Sequence, residues 1–108
     1  MKASIFDGST KRSYSPDDAL VLSKDTPYVW VDVVTDKRDD PDVASLLDHM
    51  GLTRVVAAYT TREFASGMFE VFGDTMLGSA YAASDDESAP PVILHCVWNA
   101  GCFVTIRA

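Results

Sequence analysis

Cysteine, histidine and basic charge are all scarce in this chain of 108 residues, and each scarcity removes a class of chemistry. Two cysteines, Cys96 and Cys102, cannot build a disulfide framework, and no second pair stands at zinc-ligand spacing beside them. They flank a turn and could lie diagonally across it as a bridge, although two cysteines in apolar strands are expected to be plain core thiols. The only histidines are His49, near the end of an apparent helix, and His95, inside an apolar strand; a structural role is expected for both. Nine Lys and Arg stand against 16 Asp and Glu, and the net charge of −7 excludes nonspecific binding to nucleic acid or anionic lipid. No apolar run approaches the roughly 18 to 20 residues of a membrane helix, and no charged leader opens the chain, so a soluble, cytoplasmic protein is expected. A phosphate loop, a dinucleotide fingerprint and a Gly-x-Ser-x-Gly elbow are all missing. No enzyme and no tightly bound cofactor is expected.

What remains is ordinary globular composition, 47% apolar and 23% charged, enough for one soluble domain over residues 1–108. Its organising stretch is 91–107. Val92, Ile93, Leu94, Cys96, Val97 and Trp98 form one apolar run, Asn99-Ala100-Gly101 supply a turn, and Cys102 to Ile106 form a second run. Both arms are apolar on both sides, which predicts a hairpin central in a sheet covered on both faces. Upstream, residues 3–6 and 11–14 read as a short strand and a return arm around Asp7-Gly8. Ser15-Pro16-Asp17-Asp18 then opens a short helix over 16–23. Residues 28–34 are aromatic and β-branched, a strand.

Asp40 as cap and Pro41 at the first helical position begin a helix whose apolar residues Val43, Leu46, Leu47 and Met50 fall on one face, with Gly51 as the stop. Thr53 is placed to cap a further helix to about residue 64. Residues 68–72 and 75–83 read as two strands around Gly73-Asp74, and 84–91 as a solvated loop. The order implies an α/β domain with a mixed sheet and helices on both faces, an αβα sandwich.

The acids invite a metal reading that their spacing does not support. Asp36, Asp39, Asp40 and Asp42 lack the glycine of a calcium loop, and Leu47 stands where its closing glutamate belongs. A solvated loop and a helix cap account for them, and solvation accounts for Asp85-Asp86-Glu87. Arg54 and Arg62, on the second helix, are expected to be solubilising rather than a paired anion site.

Several stretches, in order, resemble the N-terminal cytoplasmic domain of the CorA family of divalent-cation transporters. Trp30-Val31-Asp32-Val33 is similar to that family's Trp-Ile-Asp-Leu strand, and Met50-Gly51-Leu52 to its Leu-Gly-Leu before the next helix. Glu70-Val71-Phe72-Gly73-Asp74 resembles Glu-x-Phe-Gly-Asp, and Cys102-Phe103-Val104-Thr105-Ile106-Arg107 resembles Phe-Leu-Val-Thr-Val-Arg. The likeness runs from Tyr28 to Ala108. It implies a regulatory fragment of a magnesium, zinc or cobalt transporter, on the cytosolic side of a membrane, continuing into a stalk and two membrane helices. It also implies a homo-pentamer in which neighbouring protomers hold regulatory Mg2+ between carboxylates.

This chain departs from the family where that ion is bound. Tyr59 stands where the family has an acid, and Ser66-Gly67-Met68 stands for its Arg-Pro-Lys. Glu63, one turn beyond Tyr59, is the remaining candidate metal ligand. The competing expectation is a stand-alone α/β interaction or small-ligand-binding module with no membrane part.

Overall fold

The computed structural model describes residues 1–6, 11–14, 28–37, 39–61, 69–82 and 86–107. Among these residues seven strands and two helices follow in the order β1 (Lys2–Phe6), β2 (Lys11–Tyr14), β3 (Val29–Val34), α1 (Pro41–His49), α2 (Thr53–Thr61), β4 (Phe69–Phe72), β5 (Thr75–Ala82), β6 (Val92–Trp98) and β7 (Cys102–Arg107). The sheet order is β2-β1-β3-β7-β6-β5-β4. Only β3 and β7 pair in parallel; every other neighbour is antiparallel. The mixed α/β sheet expected from the sequence is therefore present, with the second arm of the 91–107 hairpin as its middle strand.

Alternation along each strand sorts side chains onto two unlike faces. On one face, the register lines up Ile5, Val31, Val104, Val97 and Leu77 as a row across five strands, all of them fully buried. Both helices lie against this face: Val43, Leu46 and Leu47 of α1, then Leu52, Val55, Ala58 and Tyr59, join the same core. Each such valine or leucine contributes on the order of 1.5 to 3 kcal/mol by leaving water. On the other face the register lines up Phe6, Trp30, Phe103, Trp98, Met76 and Val71. Phe6 stacks on Trp30 with centroids 4.4 Å apart, and the Lys11 ammonium sits 5.5 Å from the Phe6 ring centre. Trp30, Phe69 and Val71 are exposed here. No helix covers this face among the described residues, and the helix expected over 16–23 lies outside them. β6 is half-buried except at Val97: on the helix face Ile93 and His95 border a cavity, and on the other face Leu94, Cys96 and Trp98 have no helix over them among the described residues.

Local chemistry explains the boundaries of α1. Asp40 Oδ1 accepts the Asp42 backbone N–H at 2.9 Å, and Pro41 occupies the first turn, where no N–H is needed. At the other end Gly51 takes φ 76°, the Leu52 N–H donates to the Leu47 carbonyl at 2.8 Å, and the Gly51 N–H donates to the Asp48 carbonyl at 3.1 Å. This pair of bonds is a Schellman motif, and it turns Leu52 into the core at 1% exposure. Because the linker is so short, Thr53 is the first residue of α2 rather than its cap, and Leu52 takes the flanking place.

The other turns resolve as hairpins. Gly73, at φ 62°, is the first residue of a two-residue turn between Phe72 and Thr75, the place a type II′ turn requires a glycine. In the β6–β7 turn the Asn99 Oδ1 accepts the N–H groups of Gly101 and Cys102, at 2.8 and 3.0 Å. No helix among the described residues is long and apolar enough to cross a membrane.

Candidate functional site

Beyond the carboxyl ends of the parallel pair β3 and β7 lies a cavity of about 410 Å³, lined by Thr35, Asp36, Tyr59, Pro90, Pro91, Val92, Ile93, His95, Ile106 and Arg107. The carboxyl end of parallel strands is where open α/β sheets commonly receive ligands. The pairing of β3 with β7 continues one step past the strands, where the Thr35 N–H donates to the Arg107 carbonyl at 2.9 Å, and this bond fixes one side of the opening. The loop through Pro90 and Pro91 supplies the other side.

His95 enters the cavity from β6 and is held from two directions. Ser79, directly opposite it on β5, has its Oγ 2.9 Å from His95 Nδ1. Tyr59 of α2 meets the imidazole edge-on, with ring centroids 5.3 Å apart at 81°. Ser79 is 6% exposed and Tyr59 2%. The arrangement orients one imidazole beside a mostly apolar slot whose mouth carries Asp36 and Arg107. Shape and chemistry suit binding.

A second polar constellation lies on the opposite face. The Trp30 indole N–H donates to Thr105 Oγ1 at 2.9 Å, the Thr105 hydroxyl donates to Asp32 Oδ1 at 2.8 Å, and Arg107 Nη2 reaches Asp32 Oδ2 at 3.2 Å. Trp30 and Asp32 come from one of the CorA-like stretches, Thr105 and Arg107 from another. Parallel pairing with Asp32 opposite Thr105 joins them. The signal was present in sequence as two i, i+2 pairs, Trp-x-Asp and Thr-x-Arg, but only the pairing of β3 with β7 makes them one network.

The remaining candidates are dispersed. Tyr59, standing where the resemblance calls for an acid, is packed into the core against His95. Glu63 and Arg62 lie outside the described residues. Arg54 reaches the β4–β5 turn, its Nη1 3.4 Å from where a Cβ on Gly73 would stand. His49 is in the last turn of α1, and its Nδ1 is buried with no hydrogen-bond partner. Asp40 serves as the helix cap; Asp36 and Asp39 are exposed loop residues. Among the described residues no group of three or more His, Cys, Asp or Glu is arranged to hold a metal ion. Asp86 is a turn acid whose Oδ1 accepts both the N–H and the hydroxyl of Ser88, which holds its carboxyl below the usual range. The diagonal bridge between the cysteines is ruled out by register. Cys96 stands opposite Thr105, which puts it on the aromatic face, whereas Cys102 is buried with Val29 on the helix face; both are free, and burial pushes both thiols up.

No protein-family model matches the chain, and no curated protein matches it significantly in sequence. In structure the chain is similar to the cytoplasmic domain of ZntB from Vibrio parahaemolyticus RIMD 2210633, with a TM-score of 0.62 and 15% sequence identity. The match covers 99% of this chain and 43% of that one, so this chain spans less than half the length of the ZntB structure. A likeness at that identity shows a shared fold.

Proposed function

We propose that this chain is a soluble, non-catalytic regulatory domain of a CorA-like transporter of magnesium or another divalent ion. The observation that carries the reading is the fold match, because ZntB is a CorA-family transporter and its cytoplasmic domain accounts for 99% of this chain. The sequence adds support: the CorA-like stretches fall on β3, the α1–α2 turn, β4 with its turn, and β7, and two of them bond to each other through Asp32. In this role the domain is one part of a longer chain on the cytosolic side of a membrane. It works beside neighbouring protomers, five in the family, and responds to an ion such as Mg2+ rather than carrying it.

One observation favours a second reading, a stand-alone α/β interaction or small-ligand-binding module. Tyr59 is buried under His95 at the place where the family's regulatory acid belongs, and a phenol in the core is no ligand for a hard cation. The reading frame of the source gene beyond the codon for Ala108 separates the two. A long charged helix, two apolar spans of about 20 residues and Gly-Met-Asn support the transporter domain. An immediate stop codon sinks it and leaves the module.

A further inference from the structure

We propose that the cavity at the carboxyl ends of β3 and β7 binds a small organic cation with an apolar body, its charged nitrogen held at the mouth by Asp36. Tyr59, Ile93, Ile106 and Pro91 give the slot apolar walls, and about 410 Å³ lies within the size range of small-ligand pockets. His95 is oriented by Ser79 and by the edge of Tyr59, so the inner end is preorganised and presents aromatic surface.

Charge at the mouth decides the sign of the ligand. Arg107 is already paired with Asp32 on the other side of the sheet. Asp36 is exposed and has no hydrogen bond or ion pair among the described residues. Among the described residues that line the cavity the uncompensated charge is therefore negative, on a protein of net charge −7 that draws cations toward it. A bare divalent ion is a poor occupant, because it needs several oxygen ligands and the cavity offers one carboxylate among apolar walls. An ammonium on an aromatic or aliphatic body satisfies both the carboxylate and the walls. This inference does not rest on the transporter reading.

The test uses the 108-residue chain, isotope-labelled, titrated with 2-phenylethylamine and separately with 3-phenylpropionate while amide resonances are followed. The amine should give saturable shifts centred on Asp36, Tyr59, Ile93 and His95, and the carboxylate should bind more weakly. Asp36→Asn, an exposed change, should weaken amine binding by roughly twofold to fivefold, the range for a solvent-exposed ion pair. Ile93→Trp should fill the slot and abolish binding. If Ile93→Trp does not fold, the Asp36→Asn comparison stands by itself. The proposal is overturned by shifts that do not saturate or that centre elsewhere, by equal binding of the two analogues, or by unchanged affinity in Asp36→Asn.

Discussion

The carboxylate of Asp40 accepts the Asp42 N–H on Oδ1 and the Thr35 hydroxyl on Oδ2, each at 2.9 Å, and the Met1 ammonium lies 3.5 Å from Oδ2. One side chain thus ties the start of β1, the end of β3 and the first turn of α1. The Asp42 N–H, then the Thr35 hydroxyl, favour the ionised form and hold the Asp40 carboxyl below its ordinary 3.8, with the nearby ammonium acting in the same direction. The sign follows. As pH falls, the unfolded chain takes up the proton first, so the stabilisation is complete above the unfolded-state value and is lost as pH drops through the lower folded one. Asp40→Ala should cost about 1 kcal/mol or somewhat more near neutral pH, from the cap alone, and its deficit against wild type should shrink in acid below the ordinary carboxylate range. Urea unfolding of both proteins across that range checks this. A deficit that stays constant into strong acid would show that the charge on Asp40 is not engaged.

Gly51 does for the end of α1 what Asp40 does for its start, through backbone conformation instead of a side chain. Its φ of 76° is disfavoured for any L-residue with a Cβ, yet a Cβ placed there would meet nothing within 4 Å. Gly51→Ala should therefore cost about 1 kcal/mol of purely conformational energy, with Gly51→Asn losing less. Thermal melts read this directly; a much larger loss would mean a clash that the geometry does not contain. Signals of this local kind were legible in the chain: Asp40-Pro41, the Val43 to Met50 stripe, Gly51, Gly73-Asp74 and Asn99-Ala100-Gly101 all mark the boundaries they were expected to mark. What depends on pairing across long separations was not. Trp30 and Asp32 meet Thr105 and Arg107 only through the β3–β7 register, 73 to 75 residues apart. The two cysteines fall on opposite faces because 102 is an odd step from 105, the partner of 96. The cavity is likewise assembled from the segment after β3, α2, β6, β7 and the Pro90-Pro91 loop, and no single stretch announces it. His95 and Tyr59 stand 36 residues apart in sequence, and only the fold brings their rings together.

At the scale of the molecule the two faces of the sheet differ among the described residues. Two helices bury one face, while the other presents Phe6, Trp30, Phe103, Trp98 and Val71 in register, with Trp30 at 40% and Val71 at 57% exposure among the described residues. A free-standing domain with such a face would gain by closing it against another copy, since burying apolar surface yields on the order of 25 cal/mol per Å². Against that gain stands repulsion between two chains of net charge −7. On the transporter reading proposed above, the stalk and membrane parts of a longer chain would hold the protomers together. The isolated 108-residue chain should then sediment as a monomer, or as a weak association that strengthens with concentration and with salt, because screening relieves the repulsion first. A tight dimer that persists on dilution would count against the transporter reading and make the aromatic face a self-interface. Val71→Lys identifies the surface involved, because a lysine in the exposed row adds an unpaired charge to any dimer built there. If the wild-type dimer persists unchanged in Val71→Lys, its interface lies away from this row, and the exposed aromatics have no part in self-association.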